Sequence, residues 1–281
     1  MAHHHVEVAV QGPWSLATSR AFWEGFTPSA LPEREGEALQ STFLVEREWR
    51  RASVSVTQRG ATAVLSLSGD GDLDLAAAQV CRFLSLDVDG RGWPEVGARD
   101  PVIAGAQASL PGLRPCGFYS PYEAAAWSVL SQRVRVSQAA ALKASLAQDG
   151  VFPAPAVLRG LDLDLPGRKP EYLRAVAEAA LDGLLDAVTL RAMKPAAAVL
   201  AVQQVKGLGP FAAELVVLRG ANAPDAVPYN ESRIADEVRE RYGRPLAEVS
   251  EAWRPYRTWA AVHLRVLRER RIGGVMASAG T

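Results

Sequence analysis

The stretch VKGLGPFAAELVVLRG at 205–220, with APDAVPYNESRI at 223–234 close behind it, decides the reading of this 281-residue chain. Two glycines, Gly207 and Gly209, sit between two apolar runs of helical character, and the lack of a Cβ leaves both free to take dihedrals that a side chain would forbid. Pro210 suits the first position of the second helix. The opening amides of that helix have no partners within it and face outward as an anion site that needs no lysine. Val205, Leu208, Ala212, Ala213, Leu215 and Val216 supply the apolar face on which the two helices meet, and the small residues at 212 and 213 permit close approach. A Gly-x-Gly alone closes many ordinary helix turns. What sets this one apart is the carboxylate that follows in a proline-bearing loop, Glu231, twenty residues after Phe211.

Composition bounds the class. An apolar share of 48% with 22% charged residues is that of a globular protein, long enough for one large or two ordinary domains. No run of eighteen apolar residues and no basic-then-apolar leader is present, so a membrane span is not expected and the cytoplasm is the default compartment. Cys81 and Cys116 are too few for a four-cysteine metal or cluster site and suit a reducing environment. Lys+Arg and Asp+Glu balance at 31 each, so no global field recommends a nucleic-acid partner. The charge is nonetheless uneven, with Arg265, Arg268, Arg270 and Arg271 in one stretch and Arg133 and Arg135 in another. Local patches of this kind suffice where only a few phosphates are covered, and each is otherwise a solvated helix face. His3–His5 read as a tag remnant or loose tail.

The first hundred or so residues alternate in the manner of strands. VEVAV, STFLVE, ASVSVTQ and ATAVLSLSG have apolar residues at period two over 6–11 and 42–68, with helices expected at 15–26 and 74–86. From 120 onward the pattern is helix after helix. Ser120 reads as an N-cap, Pro121 as the first helical residue, and Tyr122, Ala126, Val129 and Leu130 as one apolar face. Further helices are expected near 135–148, 170–183, 188–193, 195–204, 210–220, 231–242, 246–252 and 255–270. The fold class is therefore α+β: a small N-terminal antiparallel sheet with helices over 1–110, an all-helical body over 111–275, and a tail at 276–281. The Pro/Gly-rich stretch 101–117 is the expected junction.

Three blocks in this order, SPYEAAAWSVLSQRVRVSQAA (120–140), the hairpin with its DAVPYNE loop, and WRPYRTWAAVHL (253–264), resemble the helix-hairpin-helix base-excision DNA glycosylases. The resemblance runs over nearly the whole chain and is to the AlkA-type 3-methyladenine DNA glycosylases; the two cysteines exclude the cluster-bearing branch. It implies a partner, double-stranded DNA carrying damaged bases, and a protein acting as a monomer. It also implies a grip on the DNA backbone at Gly207, Leu208, Gly209 and Phe211, and a wedge at Arg133 with Gln132 beside it. An apolar or amide side chain is usual at that tip, so the arginine departs from the pattern, and an ordinary surface arginine remains the alternative. The family's hairpin often holds a sodium or potassium ion through main-chain carbonyls, here those of Gln203, Val205 and Leu208; no other cofactor is implied.

The same resemblance places the catalytic acid at Glu231, where the family has aspartate, and a following core residue at Ile234. A carboxylate near the sugar stabilises the positive charge that grows as a base departs, and can orient or deprotonate the attacking water. The extra methylene moves that carboxylate by roughly a bond length, and a misplacement of about 1 Å can cost on the order of a hundredfold in rate. The spacing of the oxidised-guanine branch would instead put Asn230 there, and a surface helix-start glutamate is the bland alternative for Glu231. Phe211 stands where enzymes that also cut the backbone carry a Schiff-base lysine, which implies water as the nucleophile. Phe22, Trp23, Phe211, Leu215 and Arg265 are the base-pocket candidates; Arg265 replaces a common tryptophan and Leu215 a common tyrosine. The expectation is a monofunctional glycosylase for alkylated purines. A glycosylase for neutral, deaminated bases, a damage-binding protein without turnover, and a purely structural hairpin module are the alternatives.

Overall fold

The computed structural model describes residues 2–25 and 37–278. It opens with a four-stranded antiparallel sheet, β1 (Ala2–Ala9), β2 (Leu39–Leu44), β3 (Arg51–Arg59) and β4 (Thr62–Gly69), ordered β1-β4-β3-β2. Gly60, at φ +58°, makes the β3–β4 turn, and alternation puts Val54, Val56, Leu65 and Leu67 on the buried face. The histidine run is part of this sheet and not a loose tail. His3, His4 and His5 pair with Ser68, Leu67 and Ser66 of β4, and His4 reaches Asp74 at 3.0 Å. Sequence alone hid this because the pairing partner lies some sixty residues away.

Two helices cover the sheet, α1 (Leu16–Glu24), capped by Ser15, and α2 (Leu73–Phe83), capped by Asp72. The residues after 25 to which the first helix was expected to run lie outside the described set. Then come α3 (Trp93–Arg99) and α4 (Pro101–Ser109), the second of which occupies ground expected to be a junction. Asp100 explains why 101–109 is helical. Its carboxylate accepts the Val102 and Ile103 amides at 3.0 and 3.2 Å, and Pro101 follows as first residue. The same carboxylate accepts from Tyr242 Oη and Trp253 Nε1 at 2.9 Å each, so it ties α4 to the far end of the chain.

The helical body comprises α5 (Pro121–Leu130), α6 (Val136–Leu146), α7 (Pro155–Gly160), α8 (Lys169–Leu181), α9 (Ala187–Ala192), α10 (Pro195–Val202), α11 (Pro210–Leu215), α12 (Ser232–Tyr242), α13 (Leu246–Val249) and α14 (Arg257–Ser278). α11 continues through one wide turn of π type at Val216–Gly220, and α14 runs past the end expected for it. Ser120 and Pro121 open α5 as expected, but every residue of that helix except Glu123 is buried. It is the central helix of the body, with no solvent face for periodicity to show. Trp93, Val96 and Ile103 share a core with Ile234, Val238, Trp253 and Trp259, so α3 and α4 pack with the C-terminal helices and not with the sheet.

Candidate functional site

The hairpin is built as the sequence indicated, with one correction. Gly207 has φ +93°, and a Cβ there would overlap the Tyr172 ring on α8; both facts demand glycine. Gly209 has φ −82° and ψ −178°, ordinary extended backbone that any residue adopts. Nothing lies within 4 Å of the place its Cβ would take. The second glycine therefore meets no conformational need of the fold, and its bareness leaves open space at the start of α11. Leu208 is buried and supports the tip from beneath, whereas Phe211, on the first turn of α11, is 49% exposed. Of the carbonyls at Gln203, Val205 and Leu208, that of Val205 accepts the Leu208 amide at 3.0 Å.

The turn after α5 is tied to this hairpin. Arg133, exposed at the tip of that turn, has φ +55°, a left-handed conformation unusual for a side-chain-bearing residue. Gln132 does not stand beside it as a second wedge: its Nε2 donates to the Gly207 carbonyl at 2.7 Å, so it is a strut between the turn and the hairpin. Beneath the turn, the buried Lys169 donates from Nζ to the carbonyls of Val129, Leu130 and Gln132 at 2.9, 3.0 and 2.8 Å. A cation at the end of α5 satisfies carbonyls that the helix leaves open. Burial holds this ammonium below its usual pKa.

Glu231 is half-buried and caps α12, accepting the Arg233 amide at 3.3 Å. Its neighbour Asn230 does something the sequence did not disclose. The Asn230 amide donates to Glu214 Oε2 at 2.8 Å and its Nδ2 donates to Glu214 Oε1 at 2.7 Å. Glu214, 5% exposed, lies on α11 one turn after Phe211, so this clasp brings the Phe211 end of the hairpin helix to the Glu231 segment. Burial holds the Glu214 carboxyl above the usual carboxylate range; the charge of Glu231 pushes the same way, and the bonds from Asn230 oppose both. The one available signal was an acid inside the otherwise apolar run AAELVVL, since carboxylates are rarely buried without a purpose. Tyr229, 56% exposed in the same segment, is a second aromatic that the sequence reading passed over. With Asp225 paired to Arg254 and Arg257, Glu231 is the acid of the loop with no ion pair among the described residues, its side chain engaged only by the start of α12.

The remaining pocket candidates divide. Trp23 is buried in the sheet core, edge-on to Phe83 at 5.5 Å and to Tyr119 at 6.4 Å, so it belongs to that core and not to a pocket wall. Phe22 is half-buried, with the Arg219 guanidinium 5.3 Å over its ring. Burial lowers the pKa of that arginine to about 10. Arg265 makes an ion pair with Glu269 at 2.8 Å, one turn further along α14, and Leu215 is half-buried against the body's core. Among the described residues no group of three or more His, Cys, Asp or Glu is placed to hold a metal ion, and no helix is long and apolar enough to cross a membrane.

No protein-family model matches the chain. Among curated proteins it is 26% identical over 211 residues to the DNA-3-methyladenine glycosylase of Bacillus subtilis, covering 66% of this chain and 70% of that one. It is 29% identical over 174 residues to DNA-3-methyladenine glycosylase 2 of Escherichia coli, covering 56% and 61% of the two. Among solved structures, the 3-methyladenine DNA glycosylase of Archaeoglobus fulgidus superposes with a TM-score of 0.69 over 93% of this chain and 96% of that one, at 17% identity. The chain is similar, as a distant relative, to the AlkA-like 3-methyladenine DNA glycosylases. The order seen here, an N-terminal four-stranded sheet followed by a mostly helical body, is the fold of the Archaeoglobus fulgidus structure. The 3-methyladenine DNA glycosylase of Schizosaccharomyces pombe, solved in complex with abasic DNA, superposes with a TM-score of 0.51 over 60% of this chain and 92% of that one, at 24% identity.

Proposed function

We propose that the protein is a monofunctional DNA glycosylase that hydrolyses the N-glycosidic bond of alkylated purines in duplex DNA. The observation that carries this reading is the Glu214–Asn230 clasp, which joins the exposed aromatic Phe211 at the hairpin to the loop carrying Glu231. A base inside a duplex is out of reach, so the nucleotide must leave the stack. Arg133, exposed on a turn held by Lys169 and Gln132, is the group to fill the gap. The open surface at Gly209 leaves the first amides of α11 accessible to one phosphate.

With the nucleotide extruded, the bond between C1′ and the base nitrogen breaks and the base takes the electron pair. Positive charge grows on the sugar, and the Glu231 carboxylate stabilises it. Water adds to C1′, Glu231 accepts its proton, and an abasic sugar remains. Phe211 offers no amine, so no Schiff base forms at that position and the backbone stays intact. Lys206, five residues before it, is engaged with Glu171.

Alkylated purines such as 3-methyladenine carry positive charge, and aromatic faces attract them. Phe211 and Tyr229 are exposed near the acid. Arg265 would oppose a cationic base, but Glu269 compensates its charge at 2.8 Å. This pairing removes the charge objection to a cationic base, and the exposed aromatics are what favour it over a neutral deaminated one. The test is incubation with methylated duplex DNA and chromatography of the supernatant. Free 3-methyladenine or 7-methylguanine, with strands that break only after alkali, is expected. Failure to release any base from alkylated or deaminated duplexes would leave a binding protein, and release confined to a hypoxanthine duplex would overturn the substrate class.

A further inference from the structure

We propose that Glu214 is the positioning residue of the Glu231 carboxylate, holding the 228–231 turn so that this acid meets the reacting sugar. The inference rests on Glu231 being the catalytic acid. Its basis is geometric. Glu214 sits on α11 between the buried Ala213 and Leu215, which packs against the core, yet both of its oxygens are turned to the loop across the site, where Asn230 and the Tyr229 backbone meet them. The Asn230 amide and side chain are held at 2.8 and 2.7 Å, so both the backbone and the side chain of the residue preceding Glu231 are fixed. The turn is closed on itself as well, the Glu231 amide donating to the Pro228 carbonyl at 3.2 Å. Since Glu231 also caps α12, its carboxylate is held from the N-terminal side by Glu214 and from the C-terminal side by the start of that helix.

Two features separate this arrangement from a routine loop anchor. First, no ion pair to Glu214 is found among the described residues, although a buried carboxylate is ordinarily kept with a cation. Second, the two oxygens accept from the backbone and the side chain of one residue at once, so removing the carboxylate frees both. A glutamine can keep both bonds, its Oε1 accepting the Asn230 amide and its Nε2 donating to Asn230 Oδ1 once that side-chain amide turns over. The acid is thus tied to the loop that carries the catalytic group.

The experiment measures single-turnover base release by Glu214→Ala, Glu231→Gln, the double variant and Asn230→Ala, with affinity for a duplex containing a neutral tetrahydrofuran abasic analogue measured beside it. A displacement of about 1 Å at the acid costs on the order of a hundredfold. Glu214→Ala, which removes both bonds to Asn230, is therefore expected to lose ten- to a hundredfold in rate while its affinity for the analogue changes less than about threefold. In the Glu231→Gln background the same change is expected to cost less than about threefold, because the group being positioned is already gone. Asn230→Ala, on an exposed residue, is expected to slow the parent several-fold and to leave Glu231→Gln unaffected. A Glu214→Ala rate within threefold of the parent, or losses that simply multiply in the double variant, would overturn the proposal and leave the catalytic assignment standing. Full activity in Glu231→Gln would overturn both. Should Glu214→Ala fail to fold, an unchanged rate in Asn230→Ala would overturn the proposal alone.

Discussion

The two hairpin glycines, alike in sequence, are expected to respond oppositely to alanine. At Gly207 the change forces a side-chain-bearing residue to φ +93° and drives a methyl into the Tyr172 ring. The backbone term is roughly 1–2 kcal/mol and the overpacking term roughly 1–3, about 2–5 kcal/mol together. For a chain of this size that corresponds to a fall in melting temperature of roughly 3–8 °C. At Gly209 the backbone is ordinary and a methyl meets nothing within 4 Å, so the cost is that of alanine replacing glycine at an N-cap, roughly 0.5–1 kcal/mol. That methyl would nevertheless occupy the space through which a phosphate approaches the amides of α11. Losing one or two charge-assisted bonds of about 1.5 kcal/mol each weakens binding by roughly tenfold or more. Thermal melts and fluorescence anisotropy with a duplex carrying an abasic analogue read the two effects separately. If Gly209→Ala binds as tightly as the parent, the phosphate grip is wrong; if Gly207→Ala melts with the parent, the packing argument at Tyr172 is wrong.

Two further perturbations probe the scaffold. Lys169→Met leaves three carbonyls at the end of α5 without their ammonium, and after the recovered cost of burying that charge a net loss of roughly 2–4 kcal/mol is expected. The Arg133 turn should loosen with it, seen as a smaller fluorescence rise from 2-aminopurine beside a lesion; an unchanged rise would detach Lys169 from the wedge. His263, buried against Trp93 with its ring 4.9 Å away, has its pKa lowered by burial to about 4. The folded state therefore binds its proton less readily than the unfolded chain, so stability is complete above about pH 6.5 and lost as pH falls toward 4. Near pH 4.5 the loss is roughly 2–3 kcal/mol, and urea unfolding of His263→Leu should lack that component. An identical pH dependence in the variant would contradict the assignment.

What the sequence disclosed and what it withheld divide along one physical line. The hairpin, the cap and proline at 120–121 and the alternating strands were legible because each is specified by residues close together in the chain. Gly209 was misjudged because a glycine required by backbone conformation and one left bare for access look the same in sequence. The histidines of β1 were misread because nothing in three successive histidines announces a strand, and their partners on β4 are set by tertiary pairing. Gln132 was taken for a wedge because its bond runs to Gly207, seventy-five residues on. Glu214 escaped notice because its role is defined wholly by Asn230, sixteen residues away. The Asp100 cap before Pro101 was legible in principle, and the Gly/Pro content around it obscured the helix it starts.

The most direct test of the central claim is the single-turnover rate of base release from methylated duplex DNA by Glu231→Gln, at saturating protein and beside the parent. Amide in place of carboxylate keeps the helix cap and the shape of the side chain while removing the charge that stabilises the sugar cation. A fall of a hundredfold or more, with affinity for an abasic duplex nearly unchanged, is expected. A rate equal to that of the parent would show that the chemistry does not pass through Glu231.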